Sequence, residues 1–176
     1  GVGHYLPDRI VPNSEFAATL DTSDAWIRSR SGIERRHFAA KGQGTSDLAS
    51  RAATAALQDA GLTANDLDTI IVATSTPDLT FPSVATMVQG SIGMTRGFGF
   101  DIQAVCAGFV FALCNANALI ASGQAKRIMV IGAETFSQLM DWTDRATCVL
   151  FGDGAGALIL EAEHGNGDNS DRGILA

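Results

Sequence analysis

The hydrophobic pattern alternates along the chain between two kinds of segment. Residues 69–74 and 127–132 are nearly continuous apolar runs rich in β-branched residues, which are typical of strands buried on both faces of a sheet. Residues 45–60 instead place Leu and Ala at helical spacing, with Thr45 as the predicted cap and Gly61 in the usual position for a C-terminal cap. Strands that alternate with helices predict an α/β protein with a largely parallel sheet covered by helices.

The shorter segments are assigned by the same rules. Polar caps followed by helical spacing predict further helices over residues 13–20, 24–30, 82–93 and 107–122. Apolar runs predict further strands over residues 34–38, 97–102, 148–151 and 157–160. Residues 152–156 are rich in glycine and separate the last two runs, so they predict a tight hairpin or close backbone packing.

Both ends of the chain have the pattern of interrupted strands. The chain begins Gly-Val-Gly-His-Tyr-Leu-Pro without a Met, as an opening strand would if it were cut. Residues 164–172 are polar and predict a flexible surface loop, and the apolar residues that follow, in 173–176, predict the first turn of a new strand. We therefore expect the chain to be a fragment of a longer protein.

Composition and charge narrow the class of protein. Of 176 residues, 46% are hydrophobic and 18% charged, which is enough apolar material for a core and excludes wholesale disorder. The formal charge of −7 excludes a non-specific nucleic-acid binder. No apolar run reaches membrane-spanning length, and the first residues do not form a signal peptide. Three cysteines without paired spacing argue against a disulfide framework and a zinc site, so we expect a cytoplasmic protein with reduced thiols.

Cys106 is the first candidate for chemistry, because it lies between a predicted strand and a predicted helix. A sharp strand-to-helix turn would present its sulfur above the sheet, beside N–H groups that favour a thiolate and can hold an oxyanion. The alternative is that Cys106 is a small buried apolar residue, as most free cysteines are. That alternative is the one expected for Cys114, within the same helix, and for Cys148, within a predicted strand.

Basic residues are concentrated in ten positions of this net-acidic chain, namely Arg28, Arg30, Arg35, Arg36 and His37. A solvated helix face is one interpretation. A phosphate site is the other, with Arg offering forked donors and Trp26 a flat face for a purine. Trp26 and Arg30 are four residues apart and so share one helix face.

Two further kinds of site receive less support. Residues 152–156 invite a dinucleotide-binding interpretation, but a β-type run follows them where that fingerprint requires a helix. A nucleotide-binding α/β domain that uses these glycines therefore stays only as an alternative, testable by Gly154→Val. The three histidines, His4, His37 and His164, are weak candidates for a base because none lies in an apolar context.

Several segments, in order along the chain, resemble the β-ketoacyl-acyl carrier protein synthase III enzymes, which start fatty-acid synthesis within the thiolase-like superfamily. The segment Asp-Thr-Ser-Asp-Ala-Trp-Ile-Arg-Ser-Arg-Ser-Gly-Ile is the most specific, since it separates this branch from ordinary thiolases and from the elongating synthases. The matching segments are residues 1–7, 21–33, 81–83, the Cys106 segment, 141–145 and 151–157.

The resemblance implies roles for individual residues. Cys106 matches the acyl-accepting thiol. Trp26 matches the residue that stacks on the adenine of coenzyme A, and Arg145 its partner on the other face. Thr22 and Arg30 match residues that contact the nucleotide and phosphate part.

The resemblance also implies a primer pocket, in which Phe151 is a wall and Phe81 reaches across a homodimer into the neighbouring subunit. The implied fold is a five-layer αβαβα sandwich of two pseudo-symmetric halves. Residues 1–176 correspond to the N-terminal half, with a mostly parallel mixed sheet. The catalytic His and Asn of the family and most of its carrier-protein docking surface belong to the second half, and no segment here matches them.

The implied reaction has two stages and needs no metal or redox cofactor. An acyl-coenzyme A, normally acetyl, acylates Cys106, and malonyl-acyl carrier protein then condenses with the acyl-enzyme to give a 3-ketoacyl product. Two alternatives stay open. One is a related condensing enzyme of polyketide or quinolone synthesis that uses another primer. The other is a non-catalytic acyl-coenzyme A-binding half-domain.

Overall fold

The computed structural model describes residues 1–166, 168 and 173–174. Its strands are β1 (Val2–Tyr5), β2 (Arg9–Pro12), β3 (Arg35–Phe38), β4 (Thr69–Ala73), β5 (Phe98–Ile102), β6 (Arg127–Thr135) and β7 (Asp153–Glu161). Its α-helices are α1 (Asn13–Ala17), α2 (Asp24–Ser31), α3 (Thr45–Ala60), α4 (Val84–Ser91) and α5 (Gly108–Ala121). Short 3₁₀ turns lie at Ala64–Asp66, Val105–Ala107 and Phe136–Gln138. None of the helices in this described part of the chain is long and apolar enough to cross a membrane.

The main sheet has five strands in the order β1-β7-β6-β4-β5, and β2 and β3 form a separate antiparallel pair. Strand β4 is parallel to both β5 and β6, while β7 is antiparallel to β6 and β1. The predicted mostly parallel mixed sheet is confirmed, because β1, β4, β5 and β6 run in one direction and, among the described strands of this sheet, β7 alone runs against them. The chain returns from β6 to β7 without a crossover helix, and a parallel pair would require one.

Helices cover both faces of this sheet. Helices α3 and α4 pack on one face, where the strands contribute Ile70, Val72 and Met129 to a fully buried cluster. Helix α5 packs on the other face, where Ile71 and Val130 meet the small side chains of the helix. The alternation of in-facing residues along β4 therefore supplies both cores, as a strand buried on both faces requires.

Two local predictions need correction. Residues 148–151 do not form a strand; they lie in a turn that precedes β7. The glycines of 152–156 form no hairpin, because from residue 153 onward they lie inside β7, with Gly156 paired to Gly132. A Cβ on Gly154 would lie 3.0 Å from Leu6 Cδ2, so the predicted close packing is present at this glycine.

The cap of α3 also differs from the prediction. Gly44 is the N-cap, and its N–H donates to the Asp47 carboxylate at 2.9 Å. The Thr45 hydroxyl is drawn instead into a buried network with Thr76 and Thr135. The C-terminal end is as predicted, since Gly61 adopts a left-handed φ of 66°.

The C-terminal predictions fall largely outside the described residues. Within the predicted loop, residues 164–166 have no regular secondary structure and are exposed, while 167 and 169–172 are not described. Residues 175–176 of the predicted new strand are likewise outside the described part.

Candidate active site

Cys106 lies in the 3₁₀ turn that joins β5 to α5, and its side chain is exposed. This is the strand-to-helix position that the sequence predicts. Val105, the residue before it, has a φ of +48°, and it is the sole non-glycine residue with positive φ in the described chain. A β-branched residue in the left-handed region is a backbone outlier, and such strain costs about 1–3 kcal/mol. The Val105 side chain is 62% exposed, so its own packing does not hold it there.

Helix α5 packs very closely against the sheet, which explains why this turn is so tight. A Cβ on Gly108, the first residue of α5, would lie 3.3 Å from the Cβ of Ala73. A Cβ on Gly132 would lie 3.2 Å from the Phe109 ring. Ala73 and Gly132 are neighbours in the parallel β4–β6 register, so both strands present small residues where α5 begins. This packing places Cys106 at the carboxyl edge of the parallel strands, where α/β proteins commonly bind ligands.

The two other cysteines occupy different environments. Cys148 is buried, as expected, although in a turn, and burial raises the pKa of its thiol. The expectation of a buried Cys114 is wrong for the described chain, where this residue is exposed. The helix α5 turns Ala112 and Ala116 toward the sheet, and Cys114 lies on its other side.

Two of the predicted site residues, Arg30 and Arg145, lie over the ring of a third, Trp26. The Arg30 guanidinium carbon lies 4.4 Å from the ring centroid and that of Arg145 lies 5.3 Å from it, both within cation–π range. Arg145 also donates to the backbone oxygen of Asp21. The adjacent Thr22 has a buried hydroxyl without a hydrogen-bond partner in the described structure.

The distance between Trp26 and Arg145 is too short for an intervening base. Two stacking contacts of about 3.5 Å need roughly 7 Å between the indole and the guanidinium. In the structure Arg145 lies 5.3 Å from the ring centroid. A base would therefore enter this cleft only if Arg145 moved outward by about 2 Å, which the exposed position of its side chain permits.

The basic cluster divides into parts with different roles. Arg28 forms ion pairs with Asp24 and Glu34 on the exposed face of α2, which agrees with the solvated-face interpretation for this residue. Arg30 instead stacks on Trp26. Arg36 is buried, and desolvation lowers its pKa from the ordinary value. His37 contacts the Pro7 carbonyl at 2.5 Å through Nδ1.

The two phenylalanines of the predicted primer pocket lie in different settings. Phe151 stacks on Phe136 with ring centroids 5.0 Å apart. Phe81 projects from the segment between β4 and α4 and is 81% exposed. A cis peptide bond joins Phe81 to Pro82.

Comparison with known proteins gives a consistent result. A family model described as 3-Oxoacyl-[acyl-carrier-protein (ACP)] synthase III matches residues 100–173. The chain is 75% identical over all 176 residues to "Beta-ketoacyl-[acyl-carrier-protein] synthase III" of Ruegeria sp. (strain TM1040), and covers 54% of that protein. It spans about half the length of the curated relatives that it matches.

Solved structures agree with the curated relatives. The 3-oxoacyl-[acyl-carrier-protein] synthase III of Aquifex aeolicus VF5 superposes with a TM-score of 0.91 at 45% identity, over 94% of this chain and 53% of that one. The priming β-ketosynthase of the R1128 polyketide pathway gives a TM-score of 0.89 at 33% identity, over 93% and 49%.

Over its whole length the chain is therefore similar to β-ketoacyl-acyl carrier protein synthase III enzymes, of which it covers about half. The thiolase-like α/β fold expected from the resemblance is confirmed.

Two carboxylates near the carboxyl ends of strands β5 and β6 were missed by the sequence analysis. Glu134 accepts hydrogen bonds from Ser75 N–H at 2.9 Å and from the Thr76 hydroxyl at 2.6 Å, which ties the ends of β6 and β4 together. Asp101 accepts from the N–H groups of Val84 and Ala85 at 2.7 and 2.8 Å, capping α4 just after the Phe81 segment. An acidic residue at the end of a predicted buried strand is the signal that could have identified either one.

The described residues include no candidate metal site. No group of three or more His, Cys, Asp and Glu side chains there lies close enough to hold an ion.

Proposed function

We propose that the protein containing this chain transfers an acyl group from acyl-coenzyme A to Cys106 and then condenses it with malonyl-acyl carrier protein, the reaction that starts fatty-acid synthesis. One observation supports this most directly. Cys106 is exposed at a strained strand-to-helix turn, at the carboxyl edge of parallel strands, in a chain 75% identical to a protein named for that reaction. Neither stage calls for a metal or redox cofactor, and acyl-coenzyme A is a substrate.

In the first stage, the Cys106 thiolate attacks the thioester carbonyl carbon. The new carbon–sulfur bond forms as the bond to the coenzyme A sulfur breaks, and the leaving thiolate takes up the proton that Cys106 gave up. The N–H groups of Ala107 and Gly108 close the turn on the carbonyls of Ala104 and Val105. We therefore assign oxyanion stabilisation to the N–H of Cys106 itself and to the α5 dipole.

The nucleotide part of coenzyme A is assigned to the cleft around Trp26. Trp26 offers the aromatic face, and Arg145 closes over the base after moving outward. Arg30 supplies a cation for phosphate, and the unpartnered Thr22 hydroxyl supplies a donor or acceptor. In this proposal each interpretation of the basic cluster applies to a different residue: Arg28 belongs to the solvated face and Arg30 is assigned to the phosphate site.

The second stage needs groups for which the described residues offer no candidate. Loss of carbon dioxide from the malonyl group leaves an enolate, which requires donors aimed at its oxygen. His37 already contacts a carbonyl, and His164 is exposed beyond β7. We infer that the enolate is stabilised by residues from the remaining half of the relatives' length.

A homodimer and a cytoplasmic location complete the proposal. Strand β5 is the last strand of the main sheet, and Phe98 on it is 49% exposed. An apolar edge strand invites pairing with another copy. Phe81, 81% exposed, would then contact the neighbouring subunit's primer pocket, beside Phe151. Three free cysteines in the described chain suit a reducing compartment.

The test is covalent labelling of the complete protein by acetyl-coenzyme A. We expect a mass increase of one acetyl group, mapped by peptide analysis to Cys106 and absent in Cys106→Ala. Cys114→Ala is the matched control, because Cys114 is also exposed but lies within α5, away from the turn. An acetyl group on Cys114, or unchanged labelling of Cys106→Ala, would overturn the assignment. Turnover with longer primers but not with acetyl would favour a polyketide-type synthase instead.

A further inference from the structure

Arg36 is a buried cation without a buried anion beside it. Its side chain is donor to three neutral oxygens, the Val11 carbonyl at 3.2 Å, Asn13 Oδ1 at 2.8 Å and the Val149 carbonyl at 2.8 Å. Only 6% of the residue is exposed, and within the described residues no carboxylate lies at ion-pair distance from it. An apolar side chain in this place would avoid the desolvation of a charge, so the guanidinium calls for an explanation.

One branch of the Arg36 contacts leads to the Trp26 wall of the cleft. Asn13, which accepts from Arg36, donates through Nδ2 to Asp24 Oδ1 and to the Ile33 carbonyl, each at 2.8 Å. Asp24 is the first residue of α2, and Ile33 follows the end of that helix. Two links therefore fix both ends of the helix that carries Trp26 and Arg30.

The other branch leads to the Arg145 wall. Val149, whose carbonyl Arg36 holds, lies between Arg145 and Phe151 in the segment before β7. Gly152 makes this approach possible, because a Cβ there would lie 2.9 Å from the Cβ of Arg36. The guanidinium that holds Asn13 therefore also holds a carbonyl 113 residues after Arg36 in the chain.

We propose that Arg36 is a positioning residue, which sets the separation between the Trp26 and Arg145 walls of the nucleotide cleft. The forked shape of the guanidinium is essential, because Nη1 donates to Asn13 on the Trp26 side and Nη2 donates to the Val149 carbonyl on the Arg145 side. A lysine ammonium is a single point and serves one wall at a time. This inference rests on the proposed function, because the cleft matters only if a nucleotide-bearing acyl donor binds there.

The experiment compares two acyl donors on the complete protein. Acetyl-coenzyme A uses the cleft, whereas the acetyl thioester of N-acetylcysteamine carries no nucleotide. In Arg36→Lys we expect the KM for acetyl-coenzyme A to rise about tenfold, the scale of one lost charge-assisted hydrogen bond. Acylation of Cys106 by the short thioester should stay within about twofold of wild type, which a general structural defect would not allow.

Two further variants make the result specific. Arg127→Lys makes the same chemical change at the first residue of β6, where the guanidinium pairs with Glu161. This control variant should change neither the KM for acetyl-coenzyme A nor acylation by the short thioester. Asp24→Ala removes an exposed link of the Trp26 branch without disturbing the buried guanidinium, and should raise the KM for acetyl-coenzyme A about threefold. It provides the test if Arg36→Lys fails to fold.

A double-mutant cycle completes the test. Once Trp26→Ala has removed the aromatic wall of the cleft, Arg36→Lys should raise the KM for acetyl-coenzyme A by less than about a further twofold. The reason is that Arg36 acts through the stacking contact that Trp26 would make with the base. Equal losses on both donors, or additive effects in the cycle, would overturn the positioning role while leaving the acylation of Cys106 intact. A wild-type protein that neither donor acylates would instead refute the proposed function, and this inference with it.

Discussion

Replacing Val105 by Gly and by Ala tests whether the turn before Cys106 is strained. Both variants remove the two γ-methyl groups of Val105, which is 62% exposed in the structure. The difference in stability between the two variants therefore measures what a Cβ costs in this backbone conformation. At the observed φ of +48°, Ala keeps a Cβ that costs roughly 1–2 kcal/mol in the left-handed region. Gly avoids that cost but loses roughly 0.5–1 kcal/mol to the entropy of its unfolded chain.

The expected result is an inversion of the usual order of stability. Elsewhere in a regular element Gly is less stable than Ala by about 0.5–1 kcal/mol. At position 105 we expect Gly to be the more stable by up to about 1 kcal/mol. The midpoints of urea unfolding of the complete protein, compared at equal slope, measure this difference. An Ala variant as stable as the Gly variant, or more so, would show that the turn relaxes without strain.

Acylation of Cys106 should move in the opposite direction to stability. Glycine lets the turn sample other conformations, so the sulfur spends less time in its attacking position. Misplacement by a fraction of an ångström is enough to slow a positioned nucleophile about tenfold. Slower acetylation of Val105→Gly by both donors, in a more stable protein, would identify the strain as functional. Faster or unchanged acetylation would contradict that.

Three other predictions concern the cleft, the helix seat and the extent of the chain. Trp26→Ala should weaken the use of acetyl-coenzyme A about ten- to a hundredfold, from a stacking energy of about 1–3 kcal/mol, and spare the short thioester; equal losses in kcat/KM would make Trp26 structural. Gly132→Val should force α5 off its seat, destabilise the protein by about 1–3 kcal/mol and slow acylation by both donors, since even a Cβ lies 3.2 Å from Phe109. Residues 1–176 expressed alone should not condense malonyl-acyl carrier protein, with turnover at least about a thousandfold below the complete protein; turnover within tenfold would show that the enolate is stabilised by this chain.

The elements that the sequence predicted well are those whose signals are local. Helix α3 spans Thr45–Ala60, as its apolar spacing and the following Gly61 indicate. Strand β4 likewise lies at the β-branched run, because residues buried on both faces leave a continuous apolar signature. Cys106 was placed for the same reason, since the strand, turn and helix that position it are consecutive.

The predictions that failed depend on partners distant in sequence. The apolar run over residues 148–151 fits a buried turn as well as a strand, and its burial comes from packing against β2, β3 and α2. Gly154 of β7 lies close to Leu6, which is distant in sequence and which no local rule identifies. The role of Arg36 was equally hidden, because its decisive contact is with a carbonyl 113 residues later.

The proposed nucleophile and the proposed nucleotide cleft are built by different means. Local backbone geometry and the small residues beneath α5 hold Cys106, whereas a long-range guanidinium contact holds the cleft. Changes at Val105 or Gly132 should consequently alter acylation by every donor, while changes at Trp26 or Arg36 should alter only donors that carry the nucleotide. If both sets of variants instead slowed acylation by both donors equally, the cleft and the turn would have to be held in place by a common structural element. We would look for that support first in the segment from Phe136 to Phe151, which leads from β6 past Arg145 to the stacked phenylalanines. Substitutions within that segment that affect both donors equally would then locate the shared support.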